Sequence, residues 1–509
     1  MAQIDISKRR GKISKPPLPE VIKYVTLPEF EDGCKNPYHE YQSRLDCNKA
    51  HTLMLAKQGI ISNEAAKALL VATEEMVAMG DWPTFPMDPN SEDLFFNMEK
   101  FLISKTSLEI GGQQHTARSR NDLTATVHRM MTRHAYFEIL EAFNAMRQTV
   151  IDVARRNVDA VMSGYTHIQP SEPITFGHYC SAILSAMERD FHRIEGAYYA
   201  MNRCPLGAGS MGSTTFDIDR KMTAELLGFE GPINNSIDCV ATRDYMLDML
   251  GAFSMASNTF SRFCFDLYLW ATPDYGYVEV DDGAAVCSSI MPQKKNPFTL
   301  ELIKGKAAHL EGFYMGALNC LKNTPYTLQC EVVEETPHFF WTAVGEMRAS
   351  IELLRATVGT LTVKREKMVE TAKGNFCTVT ELANYLVRND KISFRMAHEV
   401  VAVIVDYMIN HKKSADEIGH EVVDEIFMAL FNRKTTMTDE QIRAALDPTR
   451  IAEDKRIIGG TNEAEVTRQL DCLQRQLDAD NALVAGRKAK LDQAKAALEA
   501  ACKAFVAAH

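Results

Sequence analysis

"LTATVHRMMTRHAYFEILEAFNAMRQTVIDVARRNVDAVM", Leu123 to Met162, contains neither glycine nor proline. Its apolar residues Val127, Met130, Met131, Tyr136, Ile139, Leu140, Phe143, Met146, Val150 and Val153 recur largely at three- and four-residue intervals. That spacing gathers side chains on one face of an α-helix. Read as one helix, the stretch is about 60 Å long, a length suited to a bundle. Similar patterns run from Ile237 to Thr272, interrupted only by Gly251, from Phe298 to Lys322 and from Phe339 to Lys373. Strand signals are sparse, and YGYVEVDDG, Tyr275 to Gly283, is the best of them.

The pattern predicts an all-α protein with three mostly helical domains. Residues 121–373 carry the longest helices and form the central bundle domain. Residues 1–120 form a helical N-terminal domain, broken by the proline-rich GDWPTFPMDPN. Residues 374–509 form a C-terminal helical domain, ending in an Ala/Lys-rich amphipathic segment from Leu483 to His509 that reads as a surface helix or partner contact.

Composition narrows the function. The 509 residues hold 56 Lys+Arg against 67 Asp+Glu, a net charge of -11, and no long basic run, so a nucleic-acid partner is unsupported. The 12 cysteines are scattered singly from Cys34 to Cys502 without a CxxC pair or close Cys/His spacing. They read as reduced, mostly buried thiols rather than disulfides or zinc ligands. The N-terminal MAQIDISKRRGKISKPPLPE is basic but lacks an apolar core, and no run of apolar residues is long enough to span a membrane. A cytoplasmic protein with no membrane contact is expected.

Four polar, glycine-punctuated segments interrupt the helices. GGQQHTARSRND, Gly111 to Asp122, leads into the longest helix and offers Ser119, Asn121 and Asp122 as N-caps. Capping needs only one of them and none of His115, Thr116, Arg118 and Arg120, which together resemble a carboxylate clamp at a helix N-terminus. SGYTHIQPSEPITFGH, Ser163 to His178, sets Thr166 and His167 in a turn; a lone histidine there is more often structural than catalytic. NRCPLGAGSMGSTTFDIDR, Asn202 to Arg220, could present backbone amides to an anion but lacks the GK[ST] ending of a P-loop. AAVCSSIMPQKKNP, Ala284 to Pro297, puts two serines, two lysines and an amide on one loop, with Glu301 in the helix that follows. Breaking a C–N or C–O bond beta to a carboxylate needs a carboxylate clamp, a base for a weakly acidic C–H, donors for the aci-carboxylate and an acid for the leaving group. The four segments supply each type.

In these segments the chain resembles the aspartase/fumarase superfamily, whose signature loop has the form GSSxMPxKxNP; here it reads CSSIMPQKKNP, with Cys287 in place of the usual glycine. HTARSRND, GYTHIQPSEPITFGH, PLGAGSMGSTTFDIDR and TELANYLVRNDKISFRMAHEVV are most similar to argininosuccinate lyase, collinear from about Tyr41 to Leu470. The resemblance implies a homotetramer with a central multi-helix core, sites built from three subunits, a small-molecule substrate, and no metal or organic cofactor. It makes Ser288 the base, and pairs His167 with Glu301 as a further proton-transfer or orienting group. Arg120, Asn121, Thr166, Ser289, Met291, Lys294 and Asn296 would surround the fumarate-forming half, and Arg243 with Asp244 matches a further family motif.

The chain also departs from the family. The family's YNKDMQEDKE-like stretch holds the amine half through Tyr, Gln and Lys, and without gaps this chain has Leu328, Val333 and Thr336 there. A short gap near Pro325 would instead bring Tyr326 or Gln329 into the pocket. Phe298 stands where an acidic residue is common, and Asn48 where a substrate serine is expected. The expected activity is carbon–nitrogen lysis releasing fumarate from an N-substituted aspartate. The alternatives are argininosuccinate lyase itself and a catalytically silent protein like the lens delta-crystallins.

Overall fold

The computed structural model describes residues 17–35 and 37–509; the basic N-terminal stretch up to Pro16 and the Cys34 thiol lie outside what is described. The N-terminal region packs α1 (Glu40–Lys57) against α2 (Asn63–Val77), followed by α3 (Leu94–Lys105). The long helix α4 runs from Arg120 to Arg155. Ser119 caps it in a capping box with Asp122, whose side chain returns to the Ser119 amide at 2.9 Å.

The helix therefore stops two turns before Met162, where the apolar pattern had carried it. Asn157 donates its side-chain amide to the Val153 carbonyl, and the Asn157 carbonyl accepts from the Gly177 amide, both at 2.9 Å. Only glycine fits at 177: a Cβ there would lie 2.7 Å from the Val158 Cα. Val161 and Met162 are apolar because they enter the core as the start of a strand. That strand, β1 (Val161–Thr166), pairs antiparallel with β2 (Gln169–Thr175).

From there the chain goes up and down. α5 (Phe176–Gly196) leads away from the hairpin, and after a long connection that holds two short helical segments, Tyr198–Met201 and Arg220–Leu226, and the short α6 (Ser236–Ala241), α7 (Asp244–Trp270) returns to it. The break between α6 and α7 falls at Thr242–Arg243, whereas Gly251 lies inside α7 against the Tyr314 ring. β3 (Val278–Glu279) and the hairpin of β4 (Val286–Cys287) with β5 (Lys295–Asn296) precede α8 (Phe298–Lys322). α9 (Thr336–Gly359) follows, then β6 (Thr362–Val363), which pairs with β3, and α10 (Arg365–Gly374). The expected Phe339–Lys373 helix is thus two helices joined by a strand. One core runs through α4, α5, α7, α8 and α9 and includes Phe143, Phe253, Phe260 and Phe340, all fully buried.

α11 (Val379–Asp390), α12 (Phe394–Asn410), α13 (His420–Phe431) and α14 (Asp439–Leu446) enclose a second core around Leu386, Val400, Ile404 and Phe427. The last helix, α15 (Glu463–Ala508), leaves that unit and runs antiparallel along α4. Asp471 meets Arg155 at 2.8 Å, Asp480 meets the buried Arg147 at 2.6 Å, and Lys488 meets Glu141 at 2.7 Å. The Ala/Lys-rich tail is packed, with Leu498 and Cys502 buried in the main core and His509 reaching Asn63 at 3.3 Å. The described cysteines are all free thiols, most of them buried.

Candidate active site

Two groups of site residues form, at opposite ends of the bundle. The first surrounds the start of α4. Asp122 is fully buried and accepts from the Gly207 and Gly209 amides at 2.8 and 3.0 Å, while Asn121 donates to the Ser210 carbonyl at 3.1 Å. The glycine-rich 202–220 loop is thus held over the helix N-terminus. Burial pushes the Asp122 carboxyl up even though backbone amides and Arg118 oppose the shift.

The arginines of the expected clamp have other partners. Arg118 is buried and donates to the Asn48 side chain at 2.9 Å, so Asn48 anchors an arginine. Burial lowers Arg118 to about 10. Burial, with Arg118 and Arg120 adding repulsion, lowers His115 to about 4. Arg120 stacks over the Phe96 ring and pairs with Asp93 at 2.9 Å and Glu92 at 3.2 Å, two carboxylates of its own chain. Arg243 is 1% exposed and donates to His128 Nδ1 at 3.3 Å and the Thr242 carbonyl at 2.8 Å. It secures the start of α7 and does not reach solvent.

The second group lies where α4 and α7 end. The β1–β2 hairpin turns through His167 and Ile168, whose φ values of 55° and 59° give the doubly left-handed backbone of a tight type I′ turn. A β-branched residue is costly in that region, and strain of this kind concentrates at functional sites. Thr166 and His167 are exposed at the tip, and Tyr165 beneath them meets the Tyr277 hydroxyl at 2.5 Å.

The serine loop is the turn of the β4–β5 hairpin. Ser288 Oγ accepts from the Ile290 amide at 3.3 Å and the Met291 amide at 3.1 Å. The two lysines are divided in role. Lys295 pairs with Asp282 at 2.5 Å and Glu279 at 3.3 Å, tying down the base of the loop. Among the described residues, the Lys294 ammonium meets only the Asn296 side-chain oxygen, at 2.5 Å. Thr299, in the first turn of α8, donates to the Ala284 carbonyl at 3.0 Å and anchors the other side. Ser289, Met291 and Glu301 are exposed. Among the described residues no hydrogen bond or ion pair joins His167 to Glu301.

α4 separates the two groups by about 54 Å and α7 by about 40 Å, counting 1.5 Å per helical residue. Residue spacing in the sequence carried no sign of this, because the separation depends on the direction of each helix.

Of the residues that the ungapped reading sets in the amine pocket, Thr336 is fully buried and donates to the Glu331 carbonyl at 2.7 Å, and Leu328 packs against the small cluster of Ala208, Cys239 and Val240. Tyr326 is exposed and donates to Asp238 at 2.6 Å. A π-helical turn runs from Glu331 to Glu335, just before α9.

The lyase family profile matches residues 34–312, and that of the argininosuccinate lyase C-terminal region matches 376–453. Argininosuccinate lyase 1 of Shouchella clausii is 43% identical over 95% of this chain and 96% of its own. Argininosuccinate lyase of Methanococcus maripaludis is 34% identical over 97% and 98%. Among solved structures, EDDS lyase in complex with formate superposes with a TM-score of 0.85 at 28% identity, covering 97% of both chains. A class II fumarase from Schistosoma mansoni, at 17% identity and a TM-score of 0.65 over 81% of this chain and 90% of its own, shares the fold. No described helix is long and apolar enough to cross a membrane. With two near-full-length relatives at 43% and 34% identity, the chain belongs to the argininosuccinate lyase family of the aspartase/fumarase superfamily and is a carbon–nitrogen lyase.

Proposed function

We propose that the protein catalyses the reversible elimination of fumarate from an N-succinyl amine, with Ser288 as the base. The carrying observation is the pair of loop amides on Ser288 Oγ. In a resting loop they make an ordinary serine turn, and the same donors favour an alkoxide over a hydroxyl. Ser288 takes the Cβ proton, and the electron pair moves into the adjacent carboxylate to give an aci-carboxylate. Lys294 and Asn296 hold that charge beside Ser289 and Met291. The C–N bond then breaks, and the amine leaves with a proton. His167 serves that transfer, its Glu301 partner supplied by assembly because the two do not meet within one chain, while Thr166, Asn121 and Arg120 bind the succinyl carboxylates.

A single chain cannot close such a site across about 40 Å of helix. Copies in a homotetramer, packed through the exposed faces of α7 and α8 that carry Met255, Phe265 and Met315, bring the two ends together. Arg120 must exchange Asp93 and Glu92 for the substrate, and Arg243 acts by fixing the start of α7.

A second reading, argininosuccinate itself as substrate, is favoured by Tyr326, which restores the phenol that the ungapped register removed. The test incubates the protein with fumarate and a panel of amino acids and diamines and follows succinyl-sized mass gains. Arginine release from argininosuccinate separates the two readings. No adduct with any amine would refute both.

A further inference from the structure

The hairpin that carries Thr166 and His167 is a two-stranded ribbon with no third strand beside it. Its root is anchored, Ser163 accepting from the Asn375 side chain at 2.8 Å. Towards the tip the pairing thins. Ser171 and Glu172 stand opposite the single Gly164, a bulge so tight that a Cβ on Gly164 would lie 2.9 Å from the Glu172 carbonyl oxygen. Pro170 and Pro173, the partners of Tyr165 and Ser163, have no amide to donate. Among the described residues, the one side-chain hydrogen bond made from residues 164–170 is that of the Tyr165 hydroxyl to the Tyr277 hydroxyl, at 2.5 Å.

Tyr277 is a fixed post. It is fully buried, its amide donates to the Trp270 carbonyl at 2.9 Å, and its carbonyl accepts from the Lys364 amide at 2.8 Å. Its ring packs against Tyr275 and Trp270 in the main core. Phenylalanine would fill that volume without burying a hydroxyl, so packing does not account for the phenol. The bond to Tyr165 does. We propose that Tyr277, acting through the Tyr165 hydroxyl, is the positioning residue for His167. Tyr165 lies two residues before His167, so the bond sets how far the hairpin tip stands from the core. The inference rests on the reading of His167 as the group that moves the amine's proton. Such a transfer needs heavy atoms about 2.6–3.2 Å apart, and about 1 Å of misplacement costs on the order of 10²-fold in rate.

The experiment makes Tyr277→Phe, Tyr165→Phe and His167→Ala singly and in pairs in the whole protein. Steady-state rates are measured on argininosuccinate and on fumarate with each amine of the panel, with circular dichroism and light scattering on every variant. Tyr277→Phe is expected to lower kcat about tenfold while KM changes less than about twofold, because the chemistry of the binding groups is untouched. Tyr165→Phe should do the same, and the double variant should be no worse than either, since both remove one bond. On a His167→Ala background, Tyr277→Phe should have no further effect, whereas a merely structural tyrosine would still add its own loss. An additive loss on that background, or a wild-type kcat in Tyr277→Phe, would overturn the inference. Should Tyr277→Phe fail to fold or assemble, Tyr165→Phe on the same two backgrounds decides the matter in the same way. A fully active His167→Ala protein would overturn the role of His167 and this inference, and leave Ser288 standing as the base. No turnover of argininosuccinate and no adduct with any amine would overturn the lyase reading and this inference with it.

Discussion

Mixing two inactive variants tests whether the two ends of the bundle serve one site. Asn121→Ala removes a group at the start of α4, and Ser288→Ala removes the base in the β4–β5 hairpin. The two positions lie at opposite ends of helices about 40 to 54 Å long, far beyond the reach of any side chain. If each site takes Asn121 from one copy and Ser288 from another, neither homotetramer has an intact site. In a random one-to-one hybrid, the Asn121 contributor is intact in half of the sites and the Ser288 contributor independently in half. About one quarter of sites are then wild type, by the combinatorics of a closed symmetric assembly. Loss of a positioned base costs about 10²- to 10⁴-fold. Recovery to about a quarter therefore stands well above the Ser288→Ala parent. The assay unfolds and refolds the variants together and separately and measures fumarate release by absorbance, with light scattering to check that both parents assemble alike. A mixture no more active than its separately refolded parents would refute shared sites.

Three further outcomes follow from single contacts. Ser288→Ala should lower kcat by about 10²- to 10⁴-fold with the circular dichroism spectrum unchanged, while Ser289→Ala acts mainly on KM; an active Ser288→Ala protein would remove Ser288 as the base. Ile168→Gly should raise the midpoint of chemical denaturation, because relief of a left-handed backbone, worth about 1–2 kcal/mol, exceeds the entropy cost of glycine. Burial lowers His51 from its ordinary 6.5 to about 3, so the unfolded chain binds a proton that the folded chain refuses, and stability is lost as pH falls from about 6.5 towards 3. His51→Gln, able to keep a bond to the Thr116 carbonyl, should flatten that acid slope by up to about 1.4 kcal/mol per pH unit, read from urea midpoints at several pH values. Glu29, raised to about 7 chiefly by burial, works in the opposite sense and is untouched by that substitution.

The helices were legible where local sequence alone sets them. Phe298–Lys322 emerges with the boundaries its pattern gives, because a turn with proline precedes it and Asn323 ends it. The end of α4 was illegible, since Val158, Val161 and Met162 continue a helix-like spacing for the sake of the core while Gly177, on another helix, dictates the stop. The serine loop was rightly free of helical periodicity, but its two-residue strands are too short to leave an alternating pattern. Ser288, Lys294 and Asn296 could be singled out as a group because they lie close along the chain. The carboxylates on Arg120 could not, because Glu92 and Asp93 come from a separate turn 28 and 27 residues away.

The final helix has a consequence for how the protein is made. Residues 463–508 lie along α4 and end against α2, so partners such as Arg147 and Asp480 are separated by 333 residues of chain. On a ribosome, α1, α2 and α4 emerge long before the surface that covers them exists, and at about 5–20 residues per second that interval is tens of seconds. Until Leu498 and Cys502 have been added, the faces they cover stand open to water and to other nascent chains. Synthesis of residues 463–508 is thus the event that closes the N-terminal half, and a chain lacking the residues beyond Leu483 would be left with an open core at the opposite end of its sequence.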